Sequence, residues 1–158
     1  MGFEIDVDDS DVRVLFDALR NVDAELRKNT NAELRLAAKE CAAELASMLK
    51  RNTVNSPAPQ TRLVELSVKV KSDRVPVVTV GGTRKVGRAY QSRKGGKKRA
   101  VAGALLWGVE FGDKHGRFAP RNESGYWIRP TVAEFSKTGA IDTYKRAVVR
   151  ILNSAGVL

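Results

Sequence analysis

A single cysteine, Cys41, and a single histidine, His115, stand among 158 residues. One cysteine cannot close an internal disulfide, and one cysteine with one histidine cannot supply a zinc cage. Long apolar runs are missing too. The longest, Ala100 to Val109, contains two glycines and stops at Glu110, well short of the ~20 residues a membrane helix needs. The first residues, Met1 to Asp6, show neither a basic n-region nor an apolar stretch, so no secretory signal is expected. These absences argue against metalloenzymes, disulfide scaffolds and membrane spanners. With 42% hydrophobic residues, the chain has enough apolar material for one compact domain over 1–158.

Acidic residues are unevenly spread, and this makes the net charge of +10 informative. Residues 1–50 hold eleven acidic and seven basic side chains, whereas residues 51–103 hold thirteen basic and two acidic ones. The positive charge belongs to the middle of the chain. A segment so balanced repels itself unless it meets a polyanion, an acidic protein face, or enough water and salt.

The periodicity predicts an α+β fold: N-terminal helices, a β-hairpin with a small, mainly antiparallel sheet, a long basic loop, a short helix and a C-terminal helix. Residues 1–30 read as an N-terminal helix or extension capped by Ser10, with Val12, Leu15, Phe16, Leu19, Val22 and Leu26 at helical spacing. The polar run Lys28 to Asn31 interrupts it, with two helices or one bent helix as the alternatives. A long helix over 31–52 then carries Leu34, Ala38, Cys41, Leu45, Met48 and Leu49 on one side. Pro57 and Pro59 close this region. From Leu63 the period becomes two, and a turn at Ser72 to Arg74 predicts a hairpin over 62–82, with Pro76 at a strand edge.

Residues 83–100 read as a flexible basic loop, with three glycines, no acid, and Arg84, Lys85, Arg88, Arg93, Lys94, Lys97, Lys98 and Arg99. Self-repulsion predicts that this arm orders only against a partner. Over 101–158 follow a helix to Phe111, a polar loop, a strand over Tyr126 to Arg129 ended by Pro130, and a last helix over about Ile141 to Asn153. On that last helix Ile141, Tyr144, Val148, Ile151 and Leu152 share one face.

The chemistry-bearing residues form no recognisable catalytic set. Gly82 to Gly87 has the glycine spacing of a phosphate-binding loop, but Arg88 and Ala89 stand where lysine and Ser/Thr are required. His115 lies in a polar turn with no local nucleophile, and Cys41 falls on an apolar helical stripe. Glu110 is a lone carboxylate between Val109 and Phe111, without the second acid that general acid–base work requires. Asn122-Glu-Ser124 matches a glycosylation acceptor that has no role without a secretory signal. No catalytic residue, metal ligand or cofactor-binding residue is therefore expected. The eight cations suit phosphate contacts, with a solvated loop or docking on an acidic protein face as alternatives. Tyr90 is the sole aromatic among them, too little for a single-strand stacking platform.

Three segments carry a resemblance. Ser56-Pro-Ala-Pro-Gln-Thr-Arg-Leu-Val-Glu-Leu-Ser67, Ala104-Leu-Leu-Trp-Gly-Val-Glu-Phe-Gly112 and Arg117-Phe-Ala-Pro-Arg-Asn-Glu-Ser-Gly-Tyr-Trp-Ile-Arg-Pro130 occur in this order around the basic loop. Together they resemble the tail-completion or head–tail joining proteins, minor components of the neck, of long-tailed bacteriophages. Tyr126-Trp127 is similar to the variant in phages of actinobacteria. The sequence departs from the family pattern at Thr61, which is followed by Arg62 rather than glycine. The resemblance implies a virion protein assembled in the host cytoplasm. It would be a homo-oligomeric, hexameric ring between head connector and tail tube, with no enzymatic activity or cofactor and with non-specific DNA contact in the lumen. Trp107, Phe111, Tyr126 and Trp127 are assigned to packing; Trp107 and Phe111, four apart, share a helical face. Glu110, on a neighbouring face, is expected to serve partners.

Overall fold

The computed structural model describes residues 24–72 and 74–154; the helix expected from Ser10 lies mostly outside them. Helix α1 spans Ala24–Arg51 and runs into a 3-10 turn, Asn52–Asn55. A short helix α2, Thr61–Glu65, leads to β1, Lys69–Lys71, and β2, Val77–Thr79. Strands β3, Lys85–Gln91, and β4, Lys97–Val101, come next, followed by helices α3, Ala102–Phe111, α4, Ile128–Lys137, and α5, Gly139–Ser154. The fold is α+β, as expected from the periodicity.

Helix α1 passes through Lys28 to Asn31 without a break. Polar residues inside a helix cost only a few tenths of a kcal/mol each, and Thr30 is buried, so tertiary packing overrides local preference. Helices α1 and α5 pack along a seam that buries small residues and, on α5, Ile151 as well. Ala37, Ala42 and Ala46 are buried on one helix, and Ala140, Thr143 and Ala147 on the other. Of the face expected on α5, Ile151 is buried and Tyr144, Val148 and Leu152 are half-buried, whereas Ile141 is exposed. Ion pairs line the rim of this seam: Arg150 lies 2.8 Å from Glu33 and 3.2 Å from Glu40, and Arg146 lies 3.7 Å from Glu44.

The hairpin expected over 62–82 is shorter than its apolar pattern. Leu63 to Glu65 are helical, because the prolines start a turn rather than a strand. The Thr61 N–H donates to Ala58 O (3.0 Å) and the Leu63 N–H to Gln60 O (2.9 Å). Val64 and Val68, four apart, are buried, while Leu66 is exposed. Only Lys69–Lys71 and Val77–Thr79 pair, antiparallel, with Val70 opposite Val78.

The segment expected to be a disordered loop is a second antiparallel hairpin. Lys85 pairs with Val101, Val86 with Ala100, Tyr90 with Lys98 and Gln91 with Lys97, with an irregularity between Val86 and Tyr90. Its glycines serve the ribbon's geometry. Gly87 has φ +73° in the irregularity, and Gly95 and Gly96 have φ +82° and +81° in the turn, a region that L side chains rarely adopt. Among the described residues the four strands form two separate two-stranded sheets rather than one shared sheet.

The strand expected over Tyr126 to Arg129 is the entry to α4. Pro130 does not end an element; it sits in the first helical turn, where the missing N–H has no intrahelical partner to lose. The main core joins α1, α2, α3 and α4 through Leu45, Leu49, Val64, Val109, Trp127, Ile128 and Phe135. Trp127 is fully buried, whereas Trp107 is 59% exposed and is therefore not a core residue. The Trp127 indole N–H donates to Leu49 O in the last turn of α1, one of the helix's terminal carbonyls. Trp127→Ala should lower unfolding free energy by about 3–5 kcal/mol, from lost burial and the resulting cavity. Urea titration of variant and wild type checks this; equal midpoints would remove Trp127 from the core.

Candidate functional site

Two features concentrate polar chemistry: a buried junction around Glu110 and the exposed ribbon of β3 and β4. Glu110, in the last turn of α3, is 3% exposed. Its carboxylate accepts three backbone hydrogen bonds at the start of α4. Oε2 accepts from Trp127 N (3.2 Å) and Ile128 N (2.7 Å), and Oε1 accepts from Arg129 N (2.9 Å). Pro130 has no N–H, and Thr131 N donates to Trp127 O at 3.1 Å. The donors that open α4 are thus satisfied, and a negative group sits at the positive end of the helix dipole. Gly125 permits this approach, because a Cβ there would collide with Glu110 Oε1.

The same junction gathers the three segments of the resemblance. Ser56 Oγ donates to Val109 O at 3.0 Å, and Thr61 Oγ1 donates to Ser56 Oγ at 2.8 Å. Gln60 Nε2 donates to Arg117 O at 3.0 Å, which ties the first segment to the third. Asn122 N donates to Phe111 O, and Tyr126 N to Glu110 O, both at 2.8 Å. The Tyr126 hydroxyl donates to Pro120 O at 2.7 Å. Segments far apart in sequence therefore close into one hydrogen-bonded unit. On its exposed side, Trp107 stacks on Phe111 with ring centroids 5.0 Å apart, and the Arg129 guanidinium carbon lies 5.2 Å from the Phe111 ring centroid.

The eight sequence-predicted cations lie on or at the foot of the ribbon, and all are exposed. Arg84 has a structural duty: its guanidinium donates to Leu66 O and fastens the ribbon to the end of α2. Val86 is buried at the root, and Gly87 packs near Leu63. Beyond the root every ribbon side chain from Arg88 to Gln91 and from Lys97 to Arg99 is exposed. Among the described residues, the ion pairs involve Arg121, Arg146 and Arg150, and none involves a ribbon cation.

The remaining candidates are dispersed. His115 is exposed in the loop after α3. Cys41 is half-buried; burial and, to a smaller extent, Glu44 push its thiol above the ordinary value, which keeps the nucleophilic thiolate scarce at neutral pH. Gly82 to Gly87 leads into strand β3, not into a helix. Among the described residues, no three His, Cys, Asp or Glu side chains group as metal ligands, and no helix is long and apolar enough to cross a membrane.

Glu110, expected to serve partners, is instead the internal cap of α4. A carboxylate between two apolar helical residues is itself a signal for a buried acceptor, and Pro130 is a helix-start signal; sequence alone does not join them. Compared with family models, curated proteins and solved structures, the chain matches none.

Glu110→Ala should destabilise the fold by about 3 kcal/mol or more, because buried N–H groups lose their acceptor. Gly125→Ala should also destabilise it, through the clash with Glu110 and the φ of +80°. The double variant should be less destabilised than the sum of the two singles, because both act on one contact. Chemical denaturation of the four proteins measures this coupling, and strict additivity would contradict it.

Proposed function

We propose that this chain is a structural, non-enzymatic subunit of a long-tailed bacteriophage neck. In this reading it is a tail-completion or head–tail joining component that works as a homo-oligomeric ring between head connector and tail tube, with six copies as the resemblance implies. The observation that carries the reading is the junction around Glu110. The three segments of the resemblance meet there, which supports reading them together as one framework. The surface of that unit fits a subunit role. Trp107 is exposed beside Phe111 and Arg129, and tryptophan and arginine are the residue types that dominate binding energy at protein interfaces. Among the described residues, each two-stranded sheet also has strand edges without a strand partner, and such edges can pair with another chain.

The second reading, a small basic nucleic-acid-binding protein acting as a monomer or dimer, is favoured by the charge of the β3–β4 ribbon. Mass photometry with negative-stain microscopy separates the two. The neck reading expects closed rings. It also expects Trp107→Ala to keep the wild-type melting temperature within a degree or two, since exposed substitutions usually change stability by less than about 0.5 kcal/mol, while ring formation is lost. Wild-type protein that stays monomeric at high concentration, and virions that lack it, would overturn the neck reading.

A further inference from the structure

We propose that the β3–β4 ribbon is a binding site for the sugar-phosphate backbone of double-stranded nucleic acid, and that one face and the tip of the ribbon make the contact. The inference rests on the nucleic-acid premise of the second reading and is equally compatible with a ring. It adds which face binds and which part of the ligand is bound.

Pairing register assigns the faces. Residues directly opposite in an antiparallel pair share a face, and alternate residues along a strand return to it. Val86, Ala100, Tyr90 and Lys98 therefore share one face, which is the body side at the root, where Val86 is buried. Lys85 and Lys97, with Arg99 between their positions along the ribbon, occupy the other face, and Arg93 and Lys94 extend the charge into the turn. On β4 the two cations of this face, Lys97 and Arg99, stand about 7 Å apart, the reach of two strand residues. Across the irregularity the parity is kept, because Val86 and Tyr90 are an even number of residues apart and oppose Ala100 and Lys98.

The ligand follows from what this face has and what it lacks. No acidic residue occurs between Asp73 and Glu110, so the ribbon has no internal counter-charge within its own segment. A protein interface is built around an apolar centre depleted in charge. Beyond its root the binding face offers Gln91 and cations, whereas the exposed aromatic Tyr90 lies on the opposite face. Phosphates need only placed cations and their released counterions. Side chains that meet only phosphates position the protein without reading sequence.

The test uses the full chain and a fluorescein-labelled, mixed-sequence DNA duplex, followed by anisotropy from low to physiological salt. Wild type should bind with an affinity that falls steeply with salt. Lys97→Gln/Arg99→Gln should weaken binding on the order of tenfold at low salt and make the log–log salt slope shallower by about 2, one for each lost phosphate contact. Lys98→Gln, on the opposite face, should stay within about twofold of wild type with an unchanged slope. Circular dichroism confirms that all three proteins are folded.

If wild type fails to bind any duplex, the nucleic-acid premise and the face assignment fall together. Both fall as well if, in that case, the double variant loses self-association, which makes the ribbon a protein-docking element. If wild type binds but Lys98→Gln weakens binding well beyond twofold and makes the salt slope shallower, the face assignment is overturned while nucleic-acid binding stands. Preference for one duplex sequence, or for a single strand with dependence on Tyr90, overturns backbone recognition.

Discussion

A buried carboxylate at the head of a helix holds the C-terminal half of this protein in place. Glu110 ends α3 and caps α4, so two helices separated by a sixteen-residue loop are joined at their ends by three hydrogen bonds. The cap fixes the backbone of Trp127, whose indole then enters the core and reaches the last turn of α1. Removing the carboxylate frees donors that water cannot easily reach, and unsatisfied buried donors are costly. The loop between the helices is kept close by its own bonds. Asp113 N donates to Ala119 O at 2.9 Å, and Asp113 Oδ1 accepts from Arg117 N at 3.1 Å and Phe118 N at 3.3 Å.

Charge is partitioned between the helical layer and the ribbon. The carboxylates of α1, Glu33, Glu40 and Glu44, face the arginines of α5 across the small-residue seam. Such partly exposed pairs add little stability, on the order of 0–1 kcal/mol each. They do occupy acids and bases of the helical layer with one another, while the cations of the β3–β4 ribbon are exposed and have no ion-pair partner among the described residues. Substitutions on the distal ribbon therefore alter its field without touching the core.

The two tryptophans show where a sequence pattern stops being informative. Trp107 and Phe111 stand at helical spacing in an apolar run and do stack on each other, yet Trp107 faces outward. Trp127 follows a polar loop, between Tyr126 and Ile128, and is fully buried, in keeping with its assignment to packing. Hydrophobicity is a property of each residue, whereas burial depends on which neighbouring element arrives to cover it. Helix α5 makes the same point: of the two isoleucines on its predicted face, Ile151 is buried and Ile141 is exposed.

What the sequence by itself determined was local. It set the α+β class, the long helix before Pro57, the short helix ending at Phe111, the last helix, the turn after Lys71 and the cluster of eight cations. Each of these follows from composition or from a period readable within one segment. Tertiary structure decided the rest. The run from Leu63 to Glu65 became helix, and Tyr126 to Arg129 became a helix entry, because apolar runs of four to eight residues fit either state until a partner arbitrates. The basic segment became an ordered ribbon because its root pairs Val86 with Ala100 and packs against α2, supports that a charge count does not contain. Glu110 became a cap only when the chain brought Ile128 to within 2.7 Å of it, eighteen residues along, a closure that no local pattern encodes.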